Sequence, residues 1–127
     1  MPNARHRLEA RLSGIEGVVL SESMFGNGDA YWCHGKEIVH FEHDGRVEVR
    51  LTRAVIRERR SNLRADDRVE LRRSGADWIT VRCESDGDVA LVAELAEVAA
   101  SVHRPPPGVP PKPPPTGAEL RRRQRFH

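Results

Sequence analysis

The chain contains only two cysteines, six aromatic residues and no long apolar run. Cys33 and Cys83 lie far apart and form no CxxC pair, which favours reduced core residues over a disulfide or a zinc site. No apolar segment reaches the roughly 18 residues of a membrane span, and no signal peptide or lipidation motif is present. We therefore expect a cytoplasmic protein with no membrane partner.

Lysine is also scarce, and the basic residues are unevenly placed. Residues 104–127 contain six arginines and lysines against the single acidic residue Glu119, a net charge of +5. The whole chain carries +2, so residues 1–103 carry −3. A basic nucleic-acid-binding face on the body is therefore not expected, and nucleic acid is an unlikely partner.

The length of 127 residues suits one small domain with an appendage. Leu8, Leu12 and Ile15 follow the spacing of a helix, and six strand-like runs follow, with Asp-Gly and His-Gly turn signals between them. Thr52 is positioned to begin a helix over "RAVIRERRSNL". Ser85, with Asp88 three residues later, predicts a capped final helix. The pattern predicts an α+β fold in which helices cover an antiparallel sheet of a four-strand meander and a hairpin.

Two further details of these elements can be tested. The second hairpin is expected to turn at residues 74–76. The final helix is expected to bury an apolar stripe, formed by Leu91, Leu95, Val98 and Val102.

After His103 the composition changes abruptly. The segment "RPPPGVPPKPPP" holds eight of the nine prolines, which excludes a helix or a central strand. The closing "TGAELRRRQRFH" is expected to form one short basic turn or to stay disordered. We therefore divide the chain into an α+β domain at 1–103 and a disordered, proline-rich basic tail at 104–127.

Register counting places a histidine on the predicted core face. If the turn at His34–Gly35 contains two residues, Tyr31 pairs with Ile38. If the turn at Asp44–Gly45 does so too, His40 pairs with a valine of "RVEVRL" and faces the core. A slip of one residue would reverse these faces.

Four polar or reactive side chains share that predicted face: Tyr31, Cys33, His40 and Glu42. Burying an imidazole or a carboxylate without a partner costs several kcal/mol. We therefore predict these four as ligand-binding residues, with His40 as a candidate base and Glu42 as its orienting partner. The alternative is a core histidine with satisfied hydrogen bonds.

Other chemistry finds less support in the sequence. Because the predicted register sends His40 and His43 to opposite faces, and no HExxH or CxxC spacing occurs, we expect no metal site. No GxSxG motif or phosphate-binding glycine loop is present, and we expect no cofactor. A second hypothesis is a non-catalytic interaction module, in which Trp32 and Phe41 form an exposed face and the tail captures a protein partner.

The segment "GKEIVHFEHDGRVEVRLTRAVIRERR", followed by "DDRVELRRSGADWITVRC" and the final helix, resembles the small bacterial proteins of the luciferase-domain family. The proline-rich ending resembles that of some actinobacterial members. The resemblance implies an α+β domain that binds a small aromatic or pyrone-like ligand. It also implies an oxygenase without an added cofactor, in the manner of fungal luciferases. Of the candidate residues it carries over only His40, because members often have His-x-His where this chain has His40-Phe41-Glu42.

Overall fold

A computed structural model of the chain describes residues 3–25, 28–72 and 75–126. The helices are α1 (Ala4–Ser13), α2 (Arg53–Glu58), α3 (Arg60–Ala65), α4 (Asp86–His103) and α5 (Gly117–Arg125). The strands are β1 (Val18–Glu22), β2 (Asp29–Cys33), β3 (Lys36–Phe41), β4 (Arg46–Arg50), β5 (Val69–Leu71) and β6 (Trp78–Arg82). Every helix within the described ranges is too short or too polar to cross a lipid bilayer.

The six strands form one antiparallel sheet in the order β1-β2-β3-β4-β6-β5. Strands β1 to β4 are a meander, and the β5–β6 hairpin adds to it through β6. Helices α1 and α4 pack on each other, and α4 packs across β3 and β4. The predicted α+β class, with a meander plus a hairpin covered by helices, is therefore confirmed.

Helix α4 carries the main core against the sheet. Ser85 and Asp88 form the predicted capping box, and each satisfies a backbone N–H at the start of the helix. The predicted apolar stripe is displaced, however: Leu95 is buried, whereas Val102 is 45% exposed. The buried face consists mainly of alanines and valines, namely Val89, Val92, Ala93, Ala96, Ala99 and Ala100. Small side chains allow α4 to pack closely against its neighbours. The predicted stripe counted only leucines and valines and therefore missed the alanines.

Three smaller predictions can also be compared with the structure. The helix predicted over "RAVIRERRSNL" is two short helices, α2 and α3, because the backbone leaves helical geometry at Arg59. Thr52 caps α2 through Oγ1, as predicted. The predicted turn at 74–76 includes residue 74, which lies outside the described residues.

Both hairpins of the meander contain one residue more than the sequence analysis assumed. The turn residues are correct: His34 and Asp44, with the glycines that follow them, all have positive φ, as a type I′ turn requires. In the first hairpin Cys33 pairs with Lys36 as predicted, but Tyr31 pairs with Val39 because Ile38 is bulged. In the second, Glu42 N donates to Arg46 O, so three residues separate the paired positions.

These extra residues reverse the predicted faces of β3. Val39 and Phe41 pair with Val49 and Val47 and belong to the helix-covered core. His40 pairs with Glu48 and lies on the opposite face of the sheet. The prediction that His40 faces the helices is therefore wrong, because a bulge shifts the side-chain alternation by one residue.

The interaction face predicted from Trp32 and Phe41 is also not present. Both side chains are buried, with exposed fractions of 1% and 8%. Phe41 faces the helices, whereas Trp32 pairs with Glu37 on the other side of the sheet. The two rings therefore form no common exposed surface.

The predicted disorder of the tail is not shown, and α5 (Gly117–Arg125) corresponds to the other alternative, a short basic helical segment. The Lys112 backbone N–H donates to His34 Nδ1 at 2.9 Å, so the proline-rich segment runs along the first hairpin. Helix α5 follows and buries Leu120 completely. Arg121 pairs with Glu22, and Gln124 Nε2 donates to Ser23 O. The proposed boundary at residue 104 follows the end of α4 but stays a prediction.

Leu120→Ala tests the anchoring of the tail. Because Leu120 is 1% exposed, we expect a loss of about 2 to 5 kcal/mol in the free energy of unfolding, measured by urea denaturation. Val109→Ala, in an exposed part of the same tail, is the control and should change stability by less than about 0.5 kcal/mol. Equal effects of the two substitutions would show that the tail does not pack on the body.

Asp66, which follows α3, predicts a pH dependence. Its carboxylate accepts two side-chain hydrogen bonds from Arg68, which lower the pKa of Asp66 from 3.8 to about 2. A lowered carboxyl pKa stabilises the fold above the unfolded value, and this contribution is lost as pH falls from about 4 towards 2. The stability difference between wild type and Asp66→Asn should therefore be larger at pH 5 than at pH 3. A difference that stays constant, or one matched by exposed Asp67→Asn, would contradict this.

Candidate functional site

The buried imidazole of His40 is the centre of the candidate site. Strand β3 carries it on the sheet face opposite α1 and α4, and the residue is only 3% exposed. The rings of Phe25 and Trp78 each lie 4.9 Å from its centroid, and they meet each other edge-on at 5.6 Å. Phe25 comes from the loop after β1 and Trp78 from β6, so aromatic groups from distant parts of the chain enclose His40.

Three carboxylates surround this imidazole. Nε2 lies 2.8 Å from Glu48 Oε1 and 3.2 Å from Glu42 Oε1. Nδ1 lies 3.0 Å from Glu37 Oε2, although its N–H is not aligned for a hydrogen bond with any described residue. The contact with Glu37 is therefore mainly electrostatic.

Glu37 is fixed in place although it is 1% exposed. Oε1 accepts a hydrogen bond from Met24 N at 2.7 Å, and Oε2 accepts one from Ser23 Oγ at 2.8 Å. A buried carboxylate is tolerated when such donors satisfy it. Glu37 thereby holds the loop after β1 against the sheet, next to His40.

Glu48 uses its two oxygens for different partners. Oε2 accepts from Thr80 Oγ1 at 3.0 Å and pairs with the guanidinium of Arg72. Oε1 is left for His40. Strand β4 supplies Glu48 and strand β6 supplies Thr80 at the paired position, so the register of the sheet fixes this arrangement.

A surface cleft of about 500 Å³ opens beside these groups. Its walls combine aromatic, acidic and basic side chains: Met24, Phe25, His40, Glu42, Glu48, Arg50, Arg72 and Trp78. The Glu42 side chain is about one-third exposed, whereas His40 is nearly covered. A molecule in the cleft therefore reaches Glu42 more easily than the imidazole.

The arrangement places one proton between two buried side chains. An ionised carboxylate only accepts hydrogen bonds, so the 2.8 Å contact requires a proton between His40 Nε2 and Glu48 Oε1. Glu42 lies beside the same nitrogen with part of its surface open to the cleft. These are the features of a general acid–base group, in which geometry comes before any choice of reaction.

The structure brings together two of the four predicted ligand-binding residues. His40 and Glu42 line the cleft, whereas Tyr31 and Cys33 lie on the opposite face of the sheet, in the helix-covered core. Tyr31 donates to Glu9 O, and the Cys33 thiol faces Ala100 O. Burial raises the pKa of both side chains, so they stay protonated at neutral pH.

Sequence reasoning missed Glu37, Glu48 and the aromatic pair of Phe25 and Trp78. One signal was available for Glu48: it stands in the polar register of "RVEVRL", where a partner on the neighbouring strand is expected. Glu37 gave no such signal, because in the sequence it is one more charged residue shortly after a turn. Its burial depends on the loop that folds over it.

Glu37→Gln tests how far this carboxylate supports the site. The amide would turn one donating NH₂ group towards Ser23 or Met24, so we expect a loss of about 1 to 3 kcal/mol in the free energy of unfolding. Glu97→Gln, on the exposed side of α4, is the control. Urea denaturation of both variants measures the difference, and similar stabilities would argue against a structural role for Glu37.

Comparison with known proteins places this site within a family. Searches of curated proteins and of solved structures found no significant match. A family model described as the luciferase domain matches residues 35–99, which are 65 of the 127 residues. The matched segment runs from the turn before β3 into α4 and includes Glu37, His40 and Glu48, but not the loop that carries Phe25. The chain therefore belongs to the luciferase-domain family.

Proposed function

We propose that this domain binds a small, flat aromatic or pyrone-like molecule in the cleft beside His40. The observation that supports this best is the composition of the cleft, where aromatic rings, carboxylates and guanidinium groups face one space of about 500 Å³. Ligand pockets commonly combine apolar walls with a few polar groups that fix orientation. The volume suits one compact ring system.

The aromatic walls provide the apolar contact. Trp78 and Phe25 meet edge-on, so their rings form a corner rather than a flat surface. An aromatic ligand gains by packing in offset or edge-to-face geometry against such rings. Met24, beside them, adapts to irregular shapes.

The charged groups provide orientation. Arg50 and Arg72 line the cleft, where a guanidinium can bind a carbonyl oxygen or an ionised hydroxyl of the ligand. Arg72 also pairs with Glu48, and Arg50 lies 3.6 Å from Asp77. Each guanidinium has five N–H donors, so these pairings leave donors for a ligand.

In a catalytic cycle, Glu42 and His40 would take the proton from an acidic hydroxyl of the ligand. Glu42 is the reachable acceptor, and His40 orients it through the 3.2 Å contact. The sequence had predicted the opposite roles, with His40 as the base and Glu42 as its orienting partner. The resulting anion would be held by the arginines and would be electron-rich enough to react with oxygen as co-substrate. The oxygenase step rests on the family relationship alone.

Intrinsic tryptophan fluorescence tests the binding proposal, because Trp78 lines the cleft. We expect 4-hydroxy-2-pyrones and 4-hydroxycoumarin to change the emission saturably. Glu42→Gln should weaken binding by about 10- to 100-fold, since it removes a charged hydrogen-bond partner. Cys33→Ala is the control, because that thiol lies on the other face of the sheet. Binding unaffected by Glu42→Gln, or no saturable change with any probe, would contradict the proposal.

A further inference from the structure

We infer that the same face of the sheet holds a divalent metal ion, coordinated by His40 Nε2, Glu42 Oε1 and Glu48 Oε1. This inference goes beyond the proposed function, because it depends on no organic ligand. It also departs from the expectation of a metal-free site. That expectation followed from the missing metal-binding spacings and from the predicted register, which sent His40 and His43 to opposite faces and also separated His40 from Glu48.

The distances between the three ligand atoms suit one ion. Nε2 lies 2.8 Å from one oxygen and 3.2 Å from the other, and all three atoms fall within 4.8 Å of one another. For metal–ligand bonds of about 2.1 Å, ligand atoms at right angles are roughly 3.0 Å apart. Nε2 and each of the two oxygens can therefore occupy neighbouring positions of an octahedral ion.

The surroundings of His40 support coordination through Nε2. Metal-bound histidines commonly direct the other ring nitrogen to a carboxylate, which fixes the ring orientation. Here Nδ1 faces Glu37 Oε2 at 3.0 Å, and Ser23 and Met24 fix that carboxylate in turn. The Nδ1 atom is buried and lacks an aligned partner among the described residues. A small rotation of the ring towards an ion would align it with Glu37.

Glu48 is prepared for the same role. Thr80 and Arg72 both contact Oε2, so these partners remain in place while Oε1 turns to an ion. A ligating carboxylate that is itself held by hydrogen bonds is typical of such sites.

Among the residues that the structure describes, the contacts of the cluster do not balance its charge. Three carboxylates, from Glu37, Glu42 and Glu48, face one imidazole and the guanidinium of Arg72. The cluster is negative even if the imidazole is protonated. Two of the carboxylates are more than 90% buried, where water screens their charge poorly. A divalent cation between them would offset this repulsion.

The ligand set indicates a first-row transition ion such as Mn²⁺ or Fe²⁺. Imidazole with carboxylates suits these ions, and no thiolate is among the three ligands. Calcium and magnesium favour sites made of oxygen ligands alone. The cleft beside the ion would leave its remaining positions to water or to oxygen atoms of a ligand.

Titration of the chelator-treated full-length protein with MnCl₂ tests this inference. Calorimetry and the Mn²⁺ electron paramagnetic resonance signal should both show one bound ion per chain. Glu42→Gln should weaken binding by at least about tenfold, and its partly exposed position favours a folded variant. Glu70→Gln is the matched control, because Glu70 is an exposed carboxylate on the same face of the sheet. It should leave Mn²⁺ affinity unchanged.

Two outcomes would overturn the inference. One is the absence of stoichiometric binding at millimolar Mn²⁺. The other is an equal weakening by Glu42→Gln and Glu70→Gln, which would indicate diffuse attraction to the acidic face. The hydroxypyrone titration is run on the metal-free protein. Pyrone binding without Mn²⁺ binding therefore contradicts only the metal site, and Mn²⁺ binding without pyrone binding contradicts only the proposed ligand.

Discussion

An imidazole and a carboxylate lie side by side on two neighbouring strands, where His40 of β3 pairs with Glu48 of β4. The rest of the candidate site depends on this contact. It places Nε2 of His40 at the edge of the cleft, and it connects β3 to β6 through Thr80. The pairing exists because one residue is bulged in the first hairpin and another is added before the second turn. Without them, His40 would face α4 and Glu48 would lack its partner.

The two faces of the sheet thus carry different kinds of side chain. The helix-covered face is apolar and contains the two thiols, and burial raises the pKa of Cys83 to about 11. The other face buries Glu37, His40 and Glu48, which would be unstable there without mutual contacts and neighbouring donors. A polar cluster that is this closely connected stabilises one arrangement of side chains. Within this cluster His40 is almost fully buried, whereas Glu42 is about one-third exposed to the cleft.

The sequence predicted the elements of this fold well and the pairing of strands less well. Turn residues, the Ser85–Asp88 cap and the hydrophobic alternation are local signals, and they identified the strands, the fold class and His40 as a residue of interest. A bulge has no comparable signal, because it depends on how neighbouring strands twist and pack. One such residue placed His40 and Glu42 on the face opposite Tyr31 and Cys33. Burial of Glu37 and Leu120 depends on segments far away in sequence, and composition alone therefore suggested a free tail.

Ser23 connects the loop at the wall of the cleft to both β3 and the last helix. Its hydroxyl donates to Glu37, and its carbonyl oxygen accepts from Gln124 of α5. The loop that presents Phe25 is thus attached on one side to the buried carboxylate and on the other to the last helix. Coupling of this kind is reciprocal. A change in the final helix is therefore expected to shift Phe25 and, with it, the shape of the cleft.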